Sequence, residues 1–202
     1  MRILVVGATG TIGGPVADAL EVAGHEVVRA GHSGGAHRVH LSEKASIEAL
    51  YDAVGEVDAV VCTAGVSKFG PLDELDDAGF ALSIENKLMG QVNLVRLGLG
   101  RVAEGGSFTL TSGTLSTKPT PATSAVSMVG GALESFVRAA ALDLGERYRI
   151  NVVSPGWVAE TKQKMGLDPI PGIWAADLAE YYVRAVEGEE SGQVVEAVDP
   201  LS

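Results

Sequence analysis

The chain opens on an apolar, β-branched run, Arg2-Ile3-Leu4-Val5-Val6, that stops abruptly at Gly7. A glycine-rich stretch follows, Gly7-Ala8-Thr9-Gly10-Thr11-Ile12-Gly13-Gly14-Pro15, and then an amphipathic segment from Val16 to Ala23. That pattern predicts a strand, a tight turn and a helix. The alternation continues along the chain. Apolar runs at 25–30, 38–41, 57–62, 108–111, 150–153 and 193–198 read as strands. Helices are expected at 47–54, where Ile47, Leu50, Tyr51 and Val54 share a face, and at about 72–102, 123–144 and 177–186. Strands separated by helices of this length imply right-handed crossovers, and hence a mostly parallel sheet covered on both faces. No repeat, low-complexity tract or linker interrupts the pattern. The expectation is one doubly wound α/β domain of about seven strands.

The spacing of the first glycines carries candidate chemistry. Gly7 lets the chain turn sharply, Gly10 lets backbone approach a phosphate, and Gly13 lets the helix pack closely on the strand. Free N–H groups of the first helical turn, aided by the helix dipole, would then face an anion. Pro15 fits an early helical position, where its missing N–H costs nothing. The competing reading is a glycine-rich turn that binds nothing. In a doubly wound sheet the ligand crevice lies beyond the carboxyl ends of the strands. The loops expected there are Gly7–Gly13, His32–Gly35, Thr63-Ala64-Gly65, Ser112-Gly113-Thr114 and Pro155-Gly156.

Composition narrows the function classes. A net charge of -11 and a pI near 4.7 argue against nucleic acid or an anionic membrane as the main partner. Cys62 is the only cysteine, set in the apolar run Val57-Asp58-Ala59-Val60-Val61-Cys62, where a structural role is expected. The opening apolar run is too short for a signal peptide or a membrane span, so a cytoplasmic protein is expected. His25 and His37 have no partners at metal-ligand spacing, and no metal is expected.

Over nearly its whole length the chain resembles the short-chain dehydrogenase/reductase family. The resemblance is carried by Gly7-Ala8-Thr9-Gly10-Thr11-Ile12-Gly13, Thr63-Ala64-Gly65, Ser112, Asn151-Val152-Val153-Ser154-Pro155-Gly156 and Ser191-Gly192-Gln193-Val194-Val195. The glycine spacing looks like that of the family's divergent branches. The resemblance implies a nicotinamide dinucleotide held by Gly7, Thr9, Gly10, Thr11, Ile12, Gly13, Thr63, Ala64, Gly65, Pro155 and Gly156. An acid ending the second strand would bind the ribose 2′-OH and favour NAD. Here that strand ends Arg29-Ala30-Gly31-His32-Ser33. His32 and Ser33, with Arg29 or Arg38, are candidates for a 2′-phosphate, so NADP is expected over NAD. His40 stands where the family often has an Asp near the adenine.

The resemblance also implies a Tyr as general acid/base, a Lys four residues later, and a Ser about 13 residues before the Tyr. Ser112 takes the serine position. Counts forward from Ser112 and back from Asn151 both place the Tyr and Lys on Ala125 and Val129, which carry neither phenol nor amine. In Ser83-Ile84-Glu85-Asn86-Lys87-Leu88-Met89-Gly90, either Lys87 or Asn86 takes the family's active-site Asn position. Lys87, within reach of Ser112, would serve as a proton donor or phosphate clamp, its pKa lowered by the crevice; the alternative is a surface lysine. Tyr148, Tyr181 and Tyr182 are expected away from the crevice.

After Gly156 the family's substrate lobe is reduced to Trp157–Trp174. Trp157, Met165, Ile170, Ile173 and Trp174 suggest an apolar flap stiffened by Pro169 and Pro171. It either closes on a small hydrophobic ligand or packs into the core. The helix at 123–144 is rich in small residues, and the resemblance implies a homodimer or homotetramer through it and its predecessor. Three functions remain open: an NADP-dependent oxidoreductase of small carbonyls or alcohols with a changed proton donor, a dinucleotide-binding sensor or assembly subunit without turnover, and an isomerase or cyclase in the same crevice.

Overall fold

A computed structural model of the chain describes residues 1–167 and 172–198. Seven parallel strands form a single sheet in the order β3-β2-β1-β4-β5-β6-β7. They are β1 Arg2–Val6, β2 Glu26–Gly31, β3 His37–Arg38, β4 Val57–Cys62, β5 Val102–Thr111, β6 Arg149–Pro155 and β7 Val194–Ala197. The helices are α1 Gly13–Val22, α2 Lys44–Val54, α3 Asp77–Ser83, α4 Met89–Gly98, α5 Ser124–Leu144, α6 Ala159–Met165 and α7 Ala175–Glu187. The order reverses between β1 and β4, which is the switch point where such sheets open a crevice.

Residue alternation along each strand builds two cores. Leu4, Val6, Val60, Cys62, Phe108, Leu110, Ile150 and Val152 point to the face covered by α2, α4 and α5. Ile3, Val5, Ala59, Val61 and Val153 point to the other, covered by α1 and α7. Helix α5 has the length and hydropathy of a membrane span. Leu133 and Val137, both at 0% exposure, instead commit it to the first core. Cys62 lies wholly in that core; burial pushes its thiol up to about 12, in keeping with a structural role.

Several boundaries depart from the sequence pattern, each for a local reason. The helix expected from Leu72 begins at Asp77, because the Asp76 carboxylate accepts from Gly79 N at 2.9 Å and caps it there. It ends at Gly98, and Gly100 at φ +80° turns the chain into a strand beginning at Val102, well before Phe108. Between α3 and α4 the helix widens into a π turn, Ile84–Leu88. The third strand is only His37–Arg38; Val39 still donates its N–H to Gly31 O at 3.0 Å, and the side chains of Val39 and Leu41 pack into the core.

Candidate functional site

The glycine turn leaves β1 at Gly7, whose φ is +95°. Its N–H and that of Ala8 donate to Ala30 O, at 2.9 and 3.1 Å, which ties the turn to β2. A Cβ on Gly13 would lie 2.0 Å from Gly7 O and 2.5 Å from Thr63 Oγ1. Only glycine lets α1 start so close to the strand end. Thr63 closes the floor by donating its N–H and Oγ1 to Val6 O, at 2.9 and 3.2 Å. The N–H groups of Thr9, Thr11, Ile12 and Gly13 have no acceptor among the described residues, and no side chain caps α1. A cradle that a Cβ would fill, with donors left open at a helix N-terminus, fits a diphosphate. From the flap side, Lys164 Nζ donates to Thr11 Oγ1 at 2.8 Å and sets a cation over the turn. Sequence reasoning missed this lysine, since nothing local signals that α6 folds back on residue 11.

On the β2 side, Gly7, Gly31, His32, Val39, Ala64, Gly65 and Asn86 surround a cavity of about 100 Å³. The His32 and His40 rings meet edge to face at its mouth, 4.6 Å between centroids. Ser33 and Arg38 are exposed nearby in the chain. Arg29 is committed elsewhere: it pairs with Asp18 at 2.6 Å and Glu21 at 3.0 Å, which raise its pKa. It is removed from the candidates for a 2′-phosphate.

Toward β5 and β6, Ile12, Phe69, Ser112, Thr114, Val126, Pro155, Gly156 and Trp157 line a cavity of about 170 Å³. Phe69 and Trp157 stack across its rim, 6.2 Å between ring centroids. Ser112 is placed by the end of β5. Gln91, fully buried on α4, clamps the adjoining Thr111 from both sides, donating to its carbonyl and accepting from its N–H at 2.9 Å each. A hollow of about 190 Å³ bordered by Asn151, Tyr181, Arg184 and Gln193 lies at the opposite end of β6 and β7, away from all these loops.

Helix α5 presents a different set of residues from those counted in the sequence. Ala125 and Val129, at 0% exposure, face the core. Val126 lines the Ser112 cavity, and Gly130 faces Ser116, whose Cβ would stand 3.3 Å from a Cβ at 130. The crevice face of the helix is therefore Val126, Gly130 and Glu134, one position on from the counted register. The correction does not restore a phenol or an amine. It does bring in Glu134, a carboxylate at 3% exposure. Its Oε1 accepts from Ser112 Oγ at 2.9 Å, Ser116 Oγ at 2.6 Å and Ser154 Oγ at 3.1 Å. No cation pairs with it among the described residues. A buried charge compensated by hydroxyls alone is costly, on the order of several kcal/mol before the hydrogen bonds offset it. An i, i+4, i+8 row from Val126 is the one sequence signal that finds it.

The π turn settles how its two candidates are placed. Asn86 Oδ1 accepts from Val66 N at 2.8 Å and borders the His32 cavity. Lys87 is half-buried, packed by its Cα, Cβ and Cγ against Gly65, and burial lowers its pKa. It makes no hydrogen bond or ion pair among the described residues, with Ser112 or any other group. Tyr148 sits at the start of β6 and accepts from Gly100 N, while Tyr182 lies under the sheet with its Oη 2.7 Å from Thr111 Oγ1. Neither lines the Ser112 cavity or the His32 cavity.

The flap is split. Trp157 lines the cavity, Ile173 is in the α1–α7 core, and Met165 and Trp174 are exposed at 45% and 51%. Pro169, Ile170 and Pro171 lie outside the described residues.

A phosphate cradle at the switch point, next to a serine-lined cavity at the end of β5, defines a dinucleotide-binding α/β protein of the dehydrogenase type. The family model described as enoyl-(acyl carrier protein) reductase matches residues 16–195, and the chain belongs to the short-chain dehydrogenase/reductase family of oxidoreductases. Among solved structures, the protein lin1944 from Listeria innocua superposes with a TM-score of 0.93, at 36% identity over 98% of this chain and 99% of that one. A small-chain dehydrogenase in complex with NADPH follows at 0.87, with 25% identity over 98% and 96%. Elsinochrome reductase 1 of Elsinoe fawcettii is 32% identical over 57% of this chain, and versicolorin reductase stcU of Emericella nidulans 33% over 50%. The matched segments span 45% and 39% of those two relatives.

Proposed function

We propose that the chain is an NADP-dependent reductase or dehydrogenase acting on a small, largely apolar carbonyl or alcohol. The observation that carries this is the row of open N–H groups at Thr9, Thr11, Ile12 and Gly13 beside the Ser112 cavity. The cradle would hold the diphosphate, with Lys164 reinforcing it. Pro155, Gly156 and Ile12 would flank the nicotinamide, which when bound supplies the hydride acceptor or donor. Phe69, Val126 and Trp157 give the substrate side its apolar character. His32 and His40, with no acid among the described residues that line the cavity, support NADP over NAD. The NADPH held by the similar small-chain dehydrogenase points the same way. Titration with NADPH and NADH, followed by NADPH oxidation in the presence of small aldehydes and ketones, tests the reading.

A second reading has its own observation. With Val126 and Gly130 on the crevice face of α5, the chain is a dinucleotide-binding sensor or assembly subunit. Tight NADPH binding without oxidation by any carbonyl would favour it. We also propose a homodimer through α4 and α5, where Leu142 at 84% and Met128 at 43% exposure stand on the outer side of α5. We place the protein in the cytoplasm, consistent with its acidic surface and its single buried thiol.

A further inference from the structure

Glu134 is a buried ionisable group to which the reading above gives no task, and it touches the serine that lines the substrate cavity. Glu134 is held by three serines from three different segments: Ser112 after β5, Ser116 in the following turn and Ser154 in β6. All three donate to the same oxygen, Oε1. Ser112 alone of the three also lines the cavity of about 170 Å³. A hydroxyl that touches both the cavity and a carboxylate is the minimal connection for moving a proton between a substrate oxygen and a buried base. Gly130 leaves room above the cluster, where a side chain would have met Ser116. A purely structural tie between β5, β6 and α5 needs only neutral hydrogen bonds. An unpaired acid there is an expensive way to make one.

We propose that Ser112 and Glu134 form the proton-handling pair of this site, in which Ser112 exchanges a proton with the substrate oxygen and Glu134 with Ser112. The inference rests on the oxidoreductase reading above. In the oxidising direction the alcohol O–H bond breaks, its proton passes to Ser112 Oγ, and the Ser112 proton passes to Glu134 Oε1, forming a carboxylic acid. A bound oxidised nicotinamide would supply the acceptor for the hydride from the carbon–hydrogen bond, so that carbonyl product, reduced cofactor and one carboxyl proton would balance the step. In reduction the same protons move back. Ser116 and Ser154 keep their hydrogen bonds throughout and fix Oε1 toward Ser112. Ser112 is the catalytic residue and Glu134 a positioning and proton-storing residue behind it.

The test has a ligand-free and a loaded arm. In the ligand-free protein, infrared spectra of wild type minus Glu134→Gln isolate the Glu134 carboxylate band. That band shifts in Ser112→Ala, which removes the hydrogen bond to Oε1. A carboxylate band unmoved by Ser112→Ala overturns the proposal. In the loaded arm, NADPH affinity of Glu134→Gln stays within about twofold of wild type, while turnover of small aldehydes falls about 100-fold or more. Glu134→Ala with added formate regains about tenfold, and Ser112→Ala with formate regains nothing. Turnover of Glu134→Gln at the wild-type rate, or absence of formate rescue, overturns this inference while leaving the oxidoreductase reading intact. Failure of the wild type to bind NADPH or to turn over any carbonyl strikes the earlier reading and takes this one with it.

Discussion

Ser112 Oγ donates to Glu134 Oε1 at 2.9 Å, across the gap between the end of β5 and the middle of α5. The contact joins the residue best placed to meet a substrate to the carboxylate least explained by packing. Ser154 braces the same oxygen from β6. Ser154→Ala therefore strips a donor from a buried charge, and a loss of about 1–3 kcal/mol is expected. Urea unfolding measures it. A change below the scatter of the fit would mean that the hydroxyl is not holding the carboxylate.

The close seat of α1 on the strand end gives a sharper structural prediction. Gly13→Ala forces a methyl group to 2.0 Å from Gly7 O. The turn has to open, at a cost of about 1–3 kcal/mol, and its N–H groups lose their common focus. Thermal melting should drop and NADPH binding should weaken at least tenfold. A variant that melts like wild type and binds normally would show that the packing is looser than described.

Lys87 gives a pH-dependent prediction. Burial lowers its pKa below the ordinary 10.5. Between the folded and unfolded values the unfolded chain binds more protons, so this residue's contribution to stability rises with pH across that window and is least favourable below it. Lys87→Met is expected to raise the melting temperature near neutral pH, with the gain shrinking as the pH approaches 10.5. A loss of stability at neutral pH would instead indicate a partner for the ammonium.

The paired imidazoles predict cofactor choice. His32→Ala should weaken NADPH about tenfold, the worth of one hydrogen bond to a charged group, and leave NADH nearly unchanged. Equal effects on both nucleotides would detach the histidine from the 2′-phosphate.

Much of this was legible in the sequence because it is local. The abrupt end of Arg2–Val6 at Gly7, the apolar run Val57–Cys62 and the serine after Thr111 each announce a strand end in a few residues. What escaped depends on distant partners. Glu134 drew no attention in the sequence, because the three serines that converge on it come from other segments. Counting placed Ala125 and Val129 at the site because it fixed a distance along the chain but not the rotation of α5, which turns Val126 and Gly130 to the crevice. The π turn shifts the register of Asn86 and Lys87 in the same way, and no residue type in 84–88 announces it. Lys164 reaches Thr11 only because α6 folds over the opening turn.

On the proposed reading, the opening turn holds a dinucleotide diphosphate. Isothermal calorimetry of the purified chain with NADPH measures it directly. Saturable one-to-one binding in the micromolar range is expected, weakened at least tenfold in Gly13→Ala. No heat and no saturation with either NADPH or NADH at millimolar concentration would contradict it.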